Sequence, residues 1–365
     1  MINYIIRRIL LIFPVLLGIM AVNFTVIQFC PGGPVERLIA QIKGTAVEAT
    51  DRITKSGGSE VSQSTSESDY TSKYKGSQGL DPEIIKEIEE LYGFDKPALQ
   101  RFFIMMGNYL RFDFGDSFFR DEKVLSLVLS KMPVSISIGL WTTLFVYLIS
   151  IPLGIRKAIK DGTPFDLWSS FAVTVGYAIP GFLFAVLLII LFAGGNFLKI
   201  FPLRGIVSED WQTFTFFHKI GDYFWHLALP ITALLIGGFA TLTIFTKNCF
   251  IGELSKQYVV TARAKGLRNR RVLYGHVFRN AMLIIIAGFP SAFISMFFTG
   301  SVLIEVIFSL DGLGLLGFEA VINRDFPLIF GTLYVFSLMG LTLNLISDIM
   351  LSIIDPRIDF ESREV

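Results

Sequence analysis

Charge is what this 365-residue chain has least of: Asp, Glu, Lys and Arg make up 17% of it, against about 25% in soluble globular proteins. Together with a 52% hydrophobic content, that deficit excludes a disordered chain and an ordinary cytosolic enzyme. The 32 basic and 31 acidic residues nearly cancel, so the basic excess of a nucleic-acid binder is missing too. Two cysteines, Cys30 and Cys249, exclude a disulfide scaffold and a Cys-rich metal site. The three histidines, His218, His226 and His276, lack metal-ligand spacing, and no H-E-x-x-H, G-x-S-x-G or Walker A motif occurs. Gly312, Gly314 and Gly317 do spell G-x-G-x-x-G. A dinucleotide fingerprint needs a strand before it, whereas this one follows a long apolar run; the glycines are expected to permit a tight re-entrant bend instead. No catalytic residue, resident cofactor or metal is expected on this chain.

What the chain has is apolar length. Mean hydropathy is +0.60, and the apolar residues fall in blocks. Ile9–Phe29 is 21 residues without a charge, enough helix to cross about 30 Å of hydrocarbon. Val134–Ile155, Leu167–Ala193, Leu227–Thr246, Ala281–Ile304 and Leu328–Ile353 read the same way. Backbone polar groups in lipid need internal partners, so each block should be a helix. The expected fold is an all-α integral membrane protein of six transmembrane helices. Arg7 and Arg8 precede the first block as they would in a signal peptide, but no Ala-x-Ala site follows; an uncleaved helix is expected.

The basic residues set the orientation. The 247–280 loop carries eight of them against one acid, Glu253, while the 104-residue segment 30–133 is too long to count in the positive-inside rule. Both termini and the loops 156–166 and 247–280 are then cytoplasmic. The chain divides into a tail with the first span (1–29), an external segment (30–133), a five-helix membrane region (134–355) and a cytoplasmic tail (356–365). Within the external segment, residues 56–79 hold eight Ser and four Gly, a composition that suits a solvated linker. Asp81–Tyr92 should be a helix, with Asp81 as N-cap and Pro82 at the first position. A second amphipathic helix is expected over 98–110, and a third short segment up to Met132.

Inside the spans acids are scarce: Glu305 at the outer end of the fifth and Asp348 near the inner end of the sixth. Intramembrane acids are functional suspects, and Asp348 reads either as a proton site or as a polar contact at a helix end. Pro152, Pro180, Pro230 and Pro290 each remove a backbone donor and can kink a span. Pro180, Gly181 and Pro290 are candidates for lining a translocation path.

The most patterned stretch is Gly252–Asn280, GELSKQYVVTARAKGLRNRRVLYGHVFRN. Tyr258–Ala264 should be helical, Gly266 breaks it, and Arg270–Phe278 restarts it. Its charge alone suits anionic lipid as well as a protein partner; the small and apolar residues Val259, Thr261, Ala262, Ala264 and Leu267 favour docking into a partner's groove.

At this stretch the sequence resembles the membrane subunits of ABC importers for dipeptides, oligopeptides and nickel, whose loop reads much like YVxTARAKGLxxRRVLxxHxxRNA. Tyr258, Thr261 to Leu267, Arg270 to Leu273, His276 and Arg279 to Ala281 match. The general importer pattern of Glu-Ala-Ala, three residues and Gly places its Gly on Gly266. Val260 stands where Glu would be, and Thr261 stands where the first Ala would be, departures common in the peptide branch. YIIRRILLIFPVLL from Tyr4, LYGFDKP from Leu91, NYLRFDFGDS from Asn108, AIPGF from Ala178, NRDFP from Asn323 and DPR from Asp355 also look like family landmarks. PGGP at Pro31–Pro34, with the long insert before Asp81, looks like the branch importing microcin-C-like and other peptides.

The resemblance implies a permease subunit in a bacterial inner membrane, paired with a second, homologous permease, a separate ATPase that binds ATP and Mg, and an external solute-binding protein. It implies that Tyr258, Val260, Thr261, Ala262, Arg263, Ala264, Lys265, Gly266 and Leu267 form the ATPase-coupling loop, and that Ala262→Asp uncouples import. The competing class is a secondary, ion-coupled carrier, which would need an ion site of its own among the spans. The topology itself is testable: in intact cells, a thiol reagent that cannot cross membranes should label Cys30 and not Cys249. The opposite pattern contradicts the orientation.

Overall fold

The structure is a computed structural model and describes residues 2–29, 96–120, 122–193, 197–299 and 301–354. The helix expected over Asp81–Tyr92, the 56–79 linker, Cys30 and the tail 356–365 lie outside these residues. Among the described residues the secondary structure is helical, with one isolated bridge between Asp116 and Lys123 and no strand.

The helices are α1 (Ile2–Phe29), α2 (Ala98–Tyr109), α3 (Val124–Ile159), α4 (Pro164–Ala178), α5 (Gly181–Phe192), α6 (Phe216–Leu254), α7 (Gln257–Ala264), α8 (Asn269–Val272), α9 (Phe278–Thr299), α10 (Ser301–Ile307), α11 (Leu313–Asn323) and α12 (Phe326–Ile354). A π turn, Leu273–Val277, joins α8 to α9. Among the described residues, five helical stretches are long and apolar enough to cross a membrane, and α4 with α5 makes a sixth if the pair counts as one span.

Two expectations need correction. The block Leu167–Ala193 is not one straight helix: α4 and α5 meet at a 92° bend. Pro180 lacks the N–H that would continue the ladder and forces the residue before it out of the helical region; Ile179 is extended, at φ −83° and ψ 119°. The segment leading to Met132 is not a separate element either, because α3 starts at Val124. At 1.5 Å per residue, the 36 residues of α3 and the 39 of α6 run to roughly 55 Å, well beyond the hydrocarbon core. Their apolar middles are what the hydropathy reading picks out.

The chain forms two compact units. The first comprises residues 1–8, 131–315 and 339–365. One of its cores joins α3, α5, α6 and α10 through Ile138, Ala185, Leu188, Leu227, Ile231 and Ile304. Its α3–α6 crossing is close: a Cβ on Gly154 would sit 2.6 Å from Thr246 Cβ. Small residues at such crossings let backbones approach.

In this unit Glu305 is fully buried and caps a helix from outside. It accepts the Leu315 N–H at 2.7 Å and the Ser135 hydroxyl at 3.1 Å, while Ser135 accepts the Leu313 N–H at 2.8 Å. Two of the unpaired first-turn donors of α11 are thereby satisfied. This corrects the reading of the G-x-G-x-x-G run. Gly314 and Gly317 lie within α11, and Gly312 is needed because a Cβ there would come within 2.6 Å of the Glu305 carboxylate.

The second unit comprises residues 9–130 and 316–338. Two of the sequence landmarks meet in it. Asp325 precedes α12 and accepts the Leu328 N–H at 3.3 Å as a helix N-cap. It also accepts the Phe118 N–H at 3.2 Å and the Ser117 hydroxyl, so NRDFP and NYLRFDFGDS are joined by one carboxylate. Tyr109 packs edge-on against Phe114 and Tyr334. Burial, helped by the charge of Asp325, holds its phenol above the ordinary value. Gly331 lets α12 approach this layer: a Cβ there would lie 2.5 Å from Val124 Cγ1 and 3.3 Å from Phe114 Cβ. Gly331→Val is therefore expected to lower thermal stability in detergent, by about 1–3 kcal/mol for an overpacked site. Gly340→Val, with no neighbour within 4 Å, should be nearly silent. Equal melting of the two variants would contradict this packing.

Candidate functional site

The patterned loop folds as a compact knuckle at one end of the first unit. After α6, Lys256 is extended and α7 begins at Gln257. The helix stops at a glycine because the chain turns left-handed there: Gly266 has φ +77°, a conformation that costs an L-residue about 1–2 kcal/mol. Gly266 N–H donates to Arg263 carbonyl oxygen at 2.9 Å, and Leu267 N–H to Ala262 carbonyl oxygen at 3.3 Å. This is the two-bond Schellman closure that satisfies the last carbonyls of a helix.

The two faces of α7 have different fates. Val259 is 0% exposed and Ala262 8%; both pack with Ile155, Ala158, Phe250, Val272, Leu273, Val277 and Ala281, on the ends of α3, α6 and α9. Tyr258 and Leu267 flank the same cluster. Tyr258 donates its hydroxyl to Glu253 at 2.7 Å, which engages the single acid of the loop. Burial pushes the Tyr258 phenol above its ordinary value, and that bond to Glu253 adds to the effect. Facing outward are Val260, Thr261, Arg263, Ala264 and Lys265, with Val260 56% exposed.

This arrangement corrects part of the sequence reading. Val259 and Ala262 are not free to enter a partner's groove; they hold the knuckle onto the chain's own helices, and Leu267 is partly buried beside them. The residues of the loop's helix and turn that remain exposed are Val260, Thr261, Arg263, Ala264 and Lys265. Ala262→Asp would bury a carboxylate in an apolar cluster, a cost expected to disturb the knuckle itself.

An ion network that hydropathy does not reveal ties down the adjoining helix ends. Lys157, in the last turn of α3, is fully buried. Its Nζ lies 3.0 Å from Asp166 Oδ1 and donates to Asp166 carbonyl oxygen at 3.0 Å, Ser169 Oγ at 2.9 Å and Ser170 Oγ at 2.6 Å. Asp166 Oδ2 in turn accepts Lys247 Nζ of α6 at 2.7 Å, and Lys247 also reaches Asp161 Oδ1 at 2.8 Å. Two lysines and two aspartates thus pin α3, α4 and α6 together, with the fully satisfied ammonium that a buried charge requires. The only sequence signal is that Lys157, Asp166 and Lys247 flank apolar blocks, which solvated residues do as well.

The other sequence candidates are dispersed. Pro180 and Gly181 stand at the 92° bend, where a Cβ on Gly181 would lie 3.4 Å from Ala233 carbonyl oxygen. Pro290 belongs to α9, and its side chain lies outside the described residues. Asp348 accepts the Tyr4 hydroxyl at 3.1 Å and pairs with Arg8 at 3.4 Å, the helix-end polar contact rather than an open acid.

Comparison with known proteins puts this knuckle in a family context. Residues 150–360 match the family described as binding-protein-dependent transport system inner membrane component. The chain is 60% identical over 362 residues to the peptidoglycan transport system permease protein YejB of Agrobacterium fabrum, covering 99% of each. It is 56% identical over 365 residues to the inner membrane ABC transporter permease protein YejB of Escherichia coli O157:H7, again over 99% of each. To the oligopeptide transport system permease protein AppB of Bacillus subtilis it is 31% identical over 358 residues, 98% of this chain and 99% of that one.

Asp166→Asn removes the central carboxylate and leaves Lys157 buried without a counter-charge, at an expected cost of about 3–5 kcal/mol. Thermal unfolding of the purified chain should show a marked fall in midpoint for this variant and a smaller one for Asp161→Asn, whose side chain is 55% exposed. Comparable midpoints for both variants would contradict the network.

Proposed function

The chain belongs to the family of binding-protein-dependent transport system inner membrane components and is a permease subunit of an ABC importer for peptide-like solutes; from that premise we propose that it is energised through α7, whose outward face seats in a cleft of a separate ATPase subunit. The observation that carries this reading is the division of α7 into a locked face and an open one. A helix anchored by Val259 and Ala262 yet presenting Val260 and Ala264 is a rigid lever with an apolar tip. Movement of the ATPase would pass through the knuckle to the ends of α3, α6 and α9, the helices against which it packs.

The rest of the machine is proposed in the same terms. The loop and both termini face the cytoplasm, ATP and Mg bind on the ATPase, a second homologous permease completes the pathway, and an external binding protein delivers the solute. Peptide-like solutes fit both the peptidoglycan and the oligopeptide transport named for the relatives. The break at Pro180–Gly181, with Pro290, is the proposed flexible lining of the path, because a helix interrupted by proline can bend without losing further hydrogen bonds. The pairing of Asp348 with Arg8 counts against an ion-coupled carrier, which needs an acid available to a proton or cation.

The test is a pull-down of the assembled importer in mild detergent, combined with an uptake assay. Val260→Asp should lose the ATPase at least tenfold and abolish uptake, while the chain keeps its wild-type melting midpoint. Ala262→Asp should lower the midpoint as well. Wild-type ATPase retention and uptake by a stably inserted Val260→Asp variant would overturn the docking face.

A further inference from the structure

The ion network beside the knuckle has a permanent half and a releasable half. The turn from α3 to α4 is a rigid corner. Its backbone is left-handed at Gly162, with φ +70°, and the Gly162 N–H donates to Asp166 Oδ2 at 3.3 Å. Thr163 N–H donates to Lys160 carbonyl oxygen at 3.1 Å, and the Arg156 guanidinium lies 4.9 Å from the centroid of the Phe165 ring. Lys157 closes the corner from inside, fully buried against Asp166 Oδ1 and two serine hydroxyls of α4. Among the described residues, α6 makes ion pairs to this corner through one side chain. That side chain is Lys247, whose Nζ lies 2.8 Å from Asp161 Oδ1 and 2.7 Å from Asp166 Oδ2. Lys247 is 17% exposed and Asp161 55%, so water can replace this contact when it opens. Asp166 would then keep Lys157 on Oδ1 and the Gly162 N–H on Oδ2, and no buried charge is stranded.

We propose that Lys247 is a positioning residue for transport: a latch that holds the inner end of α6 to the α3–α4 corner and lets it go in each cycle. This latch takes its drive from the coupling role proposed for α7 and rests on that reading. Next to Lys247 in the chain, Thr246 meets α3 so closely that a Cβ on Gly154 would sit 2.6 Å from Thr246 Cβ and 2.8 Å from Thr243 carbonyl oxygen. That crossing is the fulcrum, because backbones this close tilt about their contact more readily than they slide past it. Towards the knuckle, within one turn of α6, come first Lys247 and then Phe250, which is fully buried in the cluster beneath α7. A push on α7 therefore bears on Phe250 and swings the helix end that carries Lys247. Among the described residues, α4 and α5 contribute nothing to that cluster. The ionic tie between the knuckle's helices and the segment leading to the Pro180 bend is the Asp166 carboxylate, with Lys157 fixed on one oxygen and Lys247 releasable on the other. Discrete rearrangement of packed helices around a breakable ion pair is a recurrent form of switching.

The experiment is reversible cross-linking in the assembled importer. In a chain carrying Cys30→Ser and Cys249→Ser, Asp161→Cys and Lys247→Cys are introduced together and joined in detergent by a short bifunctional methanethiosulfonate, which a thiol reductant removes. After reconstitution into vesicles, cross-linking should lower uptake about tenfold relative to the same variant before the reagent, as expected when a required helix movement is blocked, and reduction should restore it. The ATPase should stay bound throughout. A contact that only stabilises the fold would be replaced by the cross-link, so undiminished uptake in the joined chain overturns the latch. Equal inhibition of either single-Cys variant by the reagent, or failure of the pair to join, overturns it as well. Lys247→Gln reads the same role without a reagent. With its melting midpoint kept, it should retain the ATPase yet transport about threefold less solute per ATP hydrolysed, with Lys247→Arg restoring the ratio because the charge returns; an unchanged ratio in Lys247→Gln contradicts the latch. Failure of α7 as the docking face shows separately, as ATPase retention by Val260→Asp, and leaves the cross-linking result to judge the latch alone.

Discussion

The packing of Val259 and Ala262 beneath α7 is the constraint on which the functional surface depends. An eight-residue helix has no stability of its own in water; α7 exists because one face is buried on the ends of three long helices and its last turn is closed at Gly266. Fixing that face fixes the other. Val260 and Ala264 point outward as a consequence of where their neighbours are buried, and the loop is a rigid part instead of a tether.

The helix ends that carry the knuckle are held by polar contacts of unusual depth for so apolar a chain. Lys157 and Lys247 share Asp166, while Glu305 accepts one opening donor of α11, the Leu315 N–H. In the second unit Asp325 both caps α12 and receives Ser117. Each carboxylate joins segments far apart in sequence, and each replaces water that a low-dielectric interior cannot supply. The hydrophobic effect draws these helices into the membrane, and a few charged groups set how they meet.

Much of this was legible in the residues. Long uncharged blocks located the membrane helices because a bilayer demands about 20 apolar residues in a row, and the Gly266 stop follows from its left-handed backbone. The bend at Pro180 was visible as a proline, though its 92° angle was not, since local sequence marks a missing donor and tertiary packing decides the geometry. The burial of Ala262 was hidden for another reason. A helix of eight residues shows too few turns for its apolar stripe to be separated from a docking stripe, and the residues that cover it, Val272 and Val277, lie beyond the turn. Ser117 with Asp325 and Lys157 with Asp166 and Lys247 were hidden likewise, because neither hydropathy nor spacing relates residues that meet only after folding.

The most direct test of the lever is a cysteine scan of positions 257–265 in an otherwise Cys-free chain within the assembled importer, reading thiol modification with and without the ATPase subunit. The account predicts that positions 260, 261 and 264 react freely in the chain alone and become protected when the ATPase binds, while 259 and 262 are unreactive in both states. Protection that follows 259 and 262, or an outward face equally reactive with and without the ATPase, would contradict it.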